Sequence, residues 1–370
     1  MHILVTGGAG FIGSHLVDRL LAAGHEVRIL DSLDEQVHDG IPAYLSREAE
    51  LVVGDVRDHE AVARCLAGID TLVHLAAAVG VAQSMYEIER YTSVNALGAA
   101  TVLQASIEAR DRLQKVVVAS SMSIYGEGLY RCPAEGVEIA PPPRSKEQLN
   151  ARSWELVCAS CGSPLEPLPT PESKPLQPTS IYAIGKRDHE EMFIAWGRAY
   201  GVPATALRFF NVYGTRQSLS NPYTGVAAIF ASRLLNGRAP SIFEDGRQSR
   251  DFVHVTDITA GLEAALDPAA ADGKALNLAS GQSTTVLEVA TVLANKLGVK
   301  IEAEILGDSR AGDIRHCFAA IDLAQDELDF APAVAFEDGM EELAGWLATQ
   351  DAKDRVDEAT AVLRERGLAS

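Results

Sequence analysis

A chain of 370 residues is long enough to bury one large core or two smaller ones. A formal net charge of −19 leaves no basic footprint for nucleic acid, and no apolar run is long enough to span a bilayer. The first strand begins at His2 with no basic lead, so a cytoplasmic protein is expected, and five cysteines there argue against a disulfide framework.

In chain order, His2–Thr6 is a short apolar run that breaks into Gly7-Gly8-Ala9-Gly10-Phe11-Ile12-Gly13. A helical pattern follows from Ser14 to Ala23 and stops at Gly24. Val27–Leu30 is a second strand with Asp31 at its end. A strand, a glycine turn, a helix, a strand and an acid stand in the order of a dinucleotide fold. Gly7 permits the tight turn, Gly10 the approach of a pyrophosphate and Gly13 close packing of helix on strand. The start of the helix brings its unpaired N–H groups to the phosphates. Asp31 suits the two ribose hydroxyls and repels a 2′-phosphate. With no arginine at positions 32 or 33, NAD is favoured over NADP.

Leu51–Val53 reads as a third strand leading to Asp55 and Val56. A helix is expected over 59–67 and a fourth strand over 71–77, ending in Leu75-Ala76-Ala77. Helix 92–109, which contains Asn95, and strand 115–120 continue the alternation. It predicts a parallel sheet with helices on both faces. From Glu127 to Pro178 prolines replace periodicity, as in an insertion with its own task. Helix 179–200, strand 204–212, helix 223–235, a short strand at 241–243, helix 286–297 and a charged helical end over 337–366 complete the pattern.

Tyr182 and Lys186 lie four apart, on one helix face. An ammonium beside a phenol favours the phenolate and makes Tyr182 a candidate base. Ser121 stands at the carboxyl end of the fifth strand, where a parallel sheet opens its ligand crevice, and can hold the same substrate oxygen. Alone, such a pair is as readily a half-buried tyrosine and a solvated lysine.

With these residues in hand, the chain resembles the extended short-chain dehydrogenase/reductase family of NAD-dependent nucleotide-sugar epimerases and dehydratases. The resemblance runs from residue 1 to about 345, apart from the insertion. It rests on Thr6–Gly13, Asp31, Asp55-Val56, His74–Ala77, Val94-Asn95, Ser120-Ser121 with Tyr125-Gly126, and Tyr182 with Lys186. Arg208–Gly214, Arg250–Val255 and Arg310–Asp313 extend it. It implies a Rossmann-type doubly wound α/β fold with a smaller C-terminal substrate-binding lobe. NAD would be held by Gly7, Gly10, Phe11, Ile12, Gly13, Asp31, Asp55, Val56, Leu75, Ala76, Ala77, Asn95, Tyr182 and Lys186. A nucleotide-diphosphate sugar would be held by Ser121, Ser123, Asn211, Phe243, Arg250, Arg310 and Asp313, with the two arginines as a pyrophosphate clamp. The implied domains are residues 1–127 with 176–214 for NAD, an insertion over 128–175, a substrate lobe over 215–345 whose stretch near 245–270 returns to the first domain, and a charged helical tail over 346–370. A homodimer through helices 92–109 and 179–200 is implied as well.

Family dehydratases resemble one another in carrying Thr-Asp-Glu after the fifth strand, and decarboxylases a glutamate near it. Here Ser121-Met122-Ser123 supplies no carboxylate. The expected reaction is therefore 4-epimerisation through a transient 4-keto sugar. The insertion together with 221–225 and 244–248 resembles a bacterial subgroup that includes dTDP-L-rhamnose 4-epimerases, so a dTDP-6-deoxyhexose is the first candidate and UDP-hexoses the next. A small Cys317 where some relatives have an aromatic ring suggests a roomier sugar site. Open alternatives are a dehydratase or decarboxylase taking a carboxylate from Glu127 or the insertion, a sugar reductase, and an NAD-binding regulator without catalysis. Cys132, Glu135, Cys158 and Cys161 resemble two knuckles, either a structural zinc site or a degenerate one, on an insertion expected to fold over the sugar.

Overall fold

In the first strands the side chains alternate between two apolar faces. Ile3, Val5, Ile29, Val73 and Val117 enter one core, and Leu4, Leu30, Leu72, Val116 and Val118 the other. Such a strand is buried on both sides, as near-continuous apolar runs require in a parallel sheet. In a computed structural model that describes residues 1–310, 312–350 and 353–369, these runs form β1 (His2–Thr6), β2 (Glu26–Asp31), β3 (Glu50–Val53), β4 (Thr71–His74) and β5 (Lys115–Ser121). With β6 (Ala204–Phe209) and β7 (Ala275–Leu278) they make a seven-stranded parallel sheet in the order β7-β6-β5-β4-β1-β2-β3.

One face carries α1 (Phe11–Ala22) and the helix Val255–Ala264, which packs on it. The other carries α2 (His59–Leu66), α3 (Gly98–Ala109) and α4 (Ile181–Tyr200). The strand order reverses between β1 and β4, so their carboxyl ends open the crevice there.

The structure departs from the sequence reading in several places. β4 stops at His74, because Leu75 N–H bonds Thr6 O just where Gly7 leaves the sheet. Residues 204–212 are two strands. After Phe209 the chain leaves the sheet, and Asn211–Tyr213 pairs with Phe252–His254. β7 was not expected. It is four residues long and carries Asn277, whose buried amide reaches Thr170 O and Ala320 O. The sheet thus recruits residues up to 278. Helix 92–109 opens as a six-residue π-helical stretch, Thr92–Leu97. The charged end is two helices, Phe336–Leu347 and Val356–Glu365. The insertion folds as a three-stranded antiparallel sheet of Leu129–Cys132, Val137–Ile139 and Glu166–Leu168.

α4 is anchored from beneath. Glu190 takes two hydrogen bonds from Arg208 of β6, at 2.5 and 2.9 Å, and both side chains are buried. Arg208 also bonds Tyr125 Oη (2.7 Å), which donates to Asn277 Oδ1. This chain ties α4 to β5, β6 and β7. Replacing Glu190 with Ala leaves Arg208 buried without its carboxylate, so urea unfolding should show a loss of about 3 kcal/mol.

Candidate active site

Two positions of the glycine turn admit no side chain. A Cβ on Gly13 would overlap Gly7 O, and one on Gly7, whose φ is +72°, would lie 2.8 Å from Ala76 N. Gly10 precedes α1 and no side chain caps that helix. Asp31 is buried at the end of β2. Its carboxylate accepts from Ala9 N (3.0 Å) and Leu33 N (2.9 Å), which pins the turn to the strand beside it. A bare helix end next to a fixed carboxylate fits the pyrophosphate and ribose of a dinucleotide.

The turn opens into a continuous cavity of about 1850 Å³. Gly7, Gly10, Phe11, Ile12, Gly13, Asp31, Asp55, Val56, Leu75, Ala76 and Ala77 line one part. Ser121, Ser123, Tyr182 and Lys186 line its middle, and Asn211, Phe243, Arg250, Arg310 and Asp313 the far part. Its size exceeds the usual single-ligand range of about 300–1,000 Å³ and leaves room for a cofactor and a second ligand. Asn95 stands apart from the expected set. It is fully buried behind the wall, bonding Ala78 N (2.8 Å) and Ala78 O (3.1 Å), so it shapes the wall through Ala78. The π-helical stretch turns Asn95 inward, and Gly185 lets α4 close on it.

Ser180 caps α4 by accepting from Ala183 N (3.1 Å), and Tyr182 N donates to Ser84 Oγ (3.1 Å). Tyr182 and Lys186 then share one buried face. Ser123 Oγ donates to Ser121 Oγ (3.0 Å), and the Ser121 side chain hydrogen-bonds Tyr182. The electrostatics differ from the sequence expectation. Burial pushes the Tyr182 phenol up to about 12, with Ser121 pulling the other way, and pushes the Lys186 amine down to about 7. Lys186 Nζ donates to Ala119 O (3.0 Å). A phenolate is therefore not favoured in the chain by itself. Both groups are poised for a charge that a ligand must bring.

The two arginines differ. Arg250 donates to the carbonyls of Ser249, Ile314 and Arg315 at 2.6 to 3.0 Å, and no carboxylate pairs with it among the described residues. Arg310 is bound by Asp313 (2.9 Å) and lies over the Phe243 ring at 4.5 Å, covering the face expected beside the base. Asn211 Oδ1 is buried without a partner. Cys317 is buried with its thiol toward Thr170 Oγ1 and does not line the cavity, so its size does not widen the site. No residue of 128–175 lines the cavity either. The insertion backs the wall from outside, reaching it through Arg144, which pairs with Glu244 (2.8 Å), and through Glu155, which accepts from the buried Arg315. Sequence reasoning missed the cavity-lining face of the last helix, Val356, Ala359, Thr360 and Leu363. Their helical spacing was the available signal.

The model of the NAD dependent epimerase/dehydratase family matches residues 3–279. The chain belongs to this family. The dTDP-L-rhamnose 4-epimerase of Burkholderia thailandensis is 35% identical over 357 residues, covering 94% of this chain and 95% of that protein. The structure of UDP-glucose 4-epimerase from Thermotoga maritima with UDP-glucose has a TM-score of 0.77 at 30% identity, covering 94% of this chain and 99% of that one. That of the Thermus thermophilus UDP-glucose 4-epimerase complex with NAD has a TM-score of 0.75 at 28% identity, covering 95% and 100%. The chain is an NAD-dependent nucleotide-sugar epimerase.

Lys186 generates a stability prediction. Between about 7 and 10.5 the unfolded chain keeps a proton on this amine that the fold does not, so wild-type stability rises with pH across that window, by up to about 1.4 kcal/mol per unit. Below about 7 the whole cost of the buried amine persists. Cofactor-free Lys186→Met should unfold at a higher temperature than wild type below pH 7, and the gap should close toward pH 10.5 in melts taken across the range.

Proposed function

We propose that the enzyme inverts a nucleotide sugar at C4, with a dTDP-6-deoxyhexose such as dTDP-L-rhamnose as first candidate and UDP-hexoses next. One observation carries this reading: Ser121, Tyr182 and Lys186 meet in the cavity, and among the described residues no free carboxylate accompanies them on the sugar side. Met122 and Ser123 follow Ser121. Glu244 is bound by Arg144 (2.8 Å) and Arg315 (3.0 Å), and Asp313 by Arg310. Glu127, the acid a dehydratase would have to borrow, accepts from the backbone N–H groups of Arg315 and His316 and does not line the cavity.

In this reading Ser121 holds the C4 oxygen and Tyr182 takes its proton, then returns it after the ring has turned over. NAD supplies reversible hydride acceptance when bound. Asp31 would hold its ribose and the Gly7–Gly13 turn its pyrophosphate. Lys186 lies on the same face as Tyr182, where an added positive charge favours the phenolate. Arg250, with no acid of its own, meets the diphosphate, and Asn211 Oδ1 faces the nucleotide. A base and room to rotate suffice for epimerisation, whereas loss of water needs an acid and a base at C5 and C6.

The enzyme is further proposed to be a cytoplasmic homodimer. Leu97 and Ile184 are exposed on helix 92–109 and α4, the segments that would pair. Its cofactor set is NAD with a structural zinc ion at Cys132, Glu135, Cys158 and Cys161.

Tyr182→Phe should lower turnover by about 1,000-fold while NAD stays bound. NMR of wild type with dTDP-L-rhamnose and UDP-hexoses should show inversion at C4 alone. Release of water or carbon dioxide, or unchanged turnover in the variant, would sink the reading.

A further inference from the structure

Two turns of the insertion are built alike. Gly136 N–H bonds Cys132 O and Gly162 N–H bonds Cys158 O, both at 2.8 Å, and both glycines have positive φ, +69° and +74°. Each turn therefore presents its first and fourth residues to one side: Cys132 with Glu135, and Cys158 with Cys161. The turns face each other. Cys132 Sγ and Cys161 Sγ are 3.5 Å apart, Cys158 Sγ and Glu135 Oε2 are 3.6 Å apart, and all four ligand atoms lie within 4.8 Å of one another. With Zn–S near 2.3 Å, a tetrahedral ion separates two thiolates by about 3.8 Å and a thiolate from a carboxylate oxygen by about 3.5 Å. The thiols are unbonded. Ser160 Oγ donates to Glu135 Oε1 (2.5 Å), leaving Oε2 free to coordinate, as outer partners of metal-bound carboxylates do.

We infer that Cys132, Glu135, Cys158 and Cys161 hold one tetrahedral zinc ion, and that this ion fastens the insertion as the backing of the substrate wall. The need for a staple is physical. The insertion's own buried core is Tyr130, Cys132, Leu156, Cys158 and Leu165, too few side chains to order about fifty residues. Leu156 and Glu155 are adjacent, so the strand held by Cys158 also carries the Glu155 carboxylate to Arg315 (2.5 Å) and His316 (3.3 Å). Arg315 in turn bonds Glu244 and Asp245, beside Phe243 in the cavity. Three soft thiolates and one carboxylate suit zinc, and a closed four-ligand site leaves no position for a reacting water.

The site is independent of which sugar is bound, so its test needs no turnover. Protein purified under reductant should contain one zinc per chain by elemental analysis. Cobalt exchanged into it should give the visible bands of a tetrahedral thiolate complex. In the wild type, zinc should slow alkylation of the exposed Cys161 about 10-fold or more relative to chelator-treated protein. Ser160→Ala should hold zinc about 10-fold more weakly, and Glu135→Cys should keep full occupancy. Chelation should expose 128–175 to limited proteolysis while bound NAD is retained. Absence of metal after reconstitution with zinc chloride under reductant, or Cys161 alkylated equally fast with and without zinc, would overturn the inference.

Discussion

The floor of the crevice is a place where charge is costly. Tyr182 and Lys186 are both sealed from water on one face of α4, and desolvation drives the phenol up to about 12 and the amine down to about 7. Such a pair is quiet until a ligand brings charge beside it. Much of the surrounding structure serves to hold these two groups in that position. Ser180 starts the helix, Gly185 lets it close on Asn95, and Glu190 fastens it to Arg208. Ser121 at the end of β5 completes the constellation.

Around the glycine turn, backbone rather than side chains shapes the wall. Gly7 and Gly13 lie so close to neighbouring backbone that a side chain at either would overlap it, and Asp31 is fixed by two backbone N–H groups. On the substrate side the wall is made of charge. Of Arg250 and Arg310, Arg250 pairs with no carboxylate among the described residues while Arg310 is neutralised by Asp313, and the acids Glu244 and Asp245 are consumed by Arg144 and Arg315. That allocation favours an anionic ligand. The insertion belongs to the same wall from behind, joined to it through Glu155 and Arg315.

Several features could be read in the one-dimensional chain because their cause is local. The Gly7–Gly13 turn, the Tyr182–Lys186 spacing, the apolar runs of β1 to β6 and the paired knuckles are all defined within a few residues, where backbone sterics and helical period decide. Features set by distant partners were not legible. β7 is four residues with a polar Asn277, and only the edge of β6 makes it a strand. Asn95 turns behind the wall because Ala78 supplies both its partners, and Cys317 points to Thr170 and away from the cavity.

The sequence by itself determined the parallel sheet and the candidate site residues, because those follow from turn chemistry and periodicity, and its motifs carried the resemblance to the family. Tertiary structure alone decided which arginine keeps its charge, where the insertion sits and how far burial shifts Tyr182 and Lys186. Each of these depends on which groups far apart in the chain come to share a volume without water, and no local pattern encodes that.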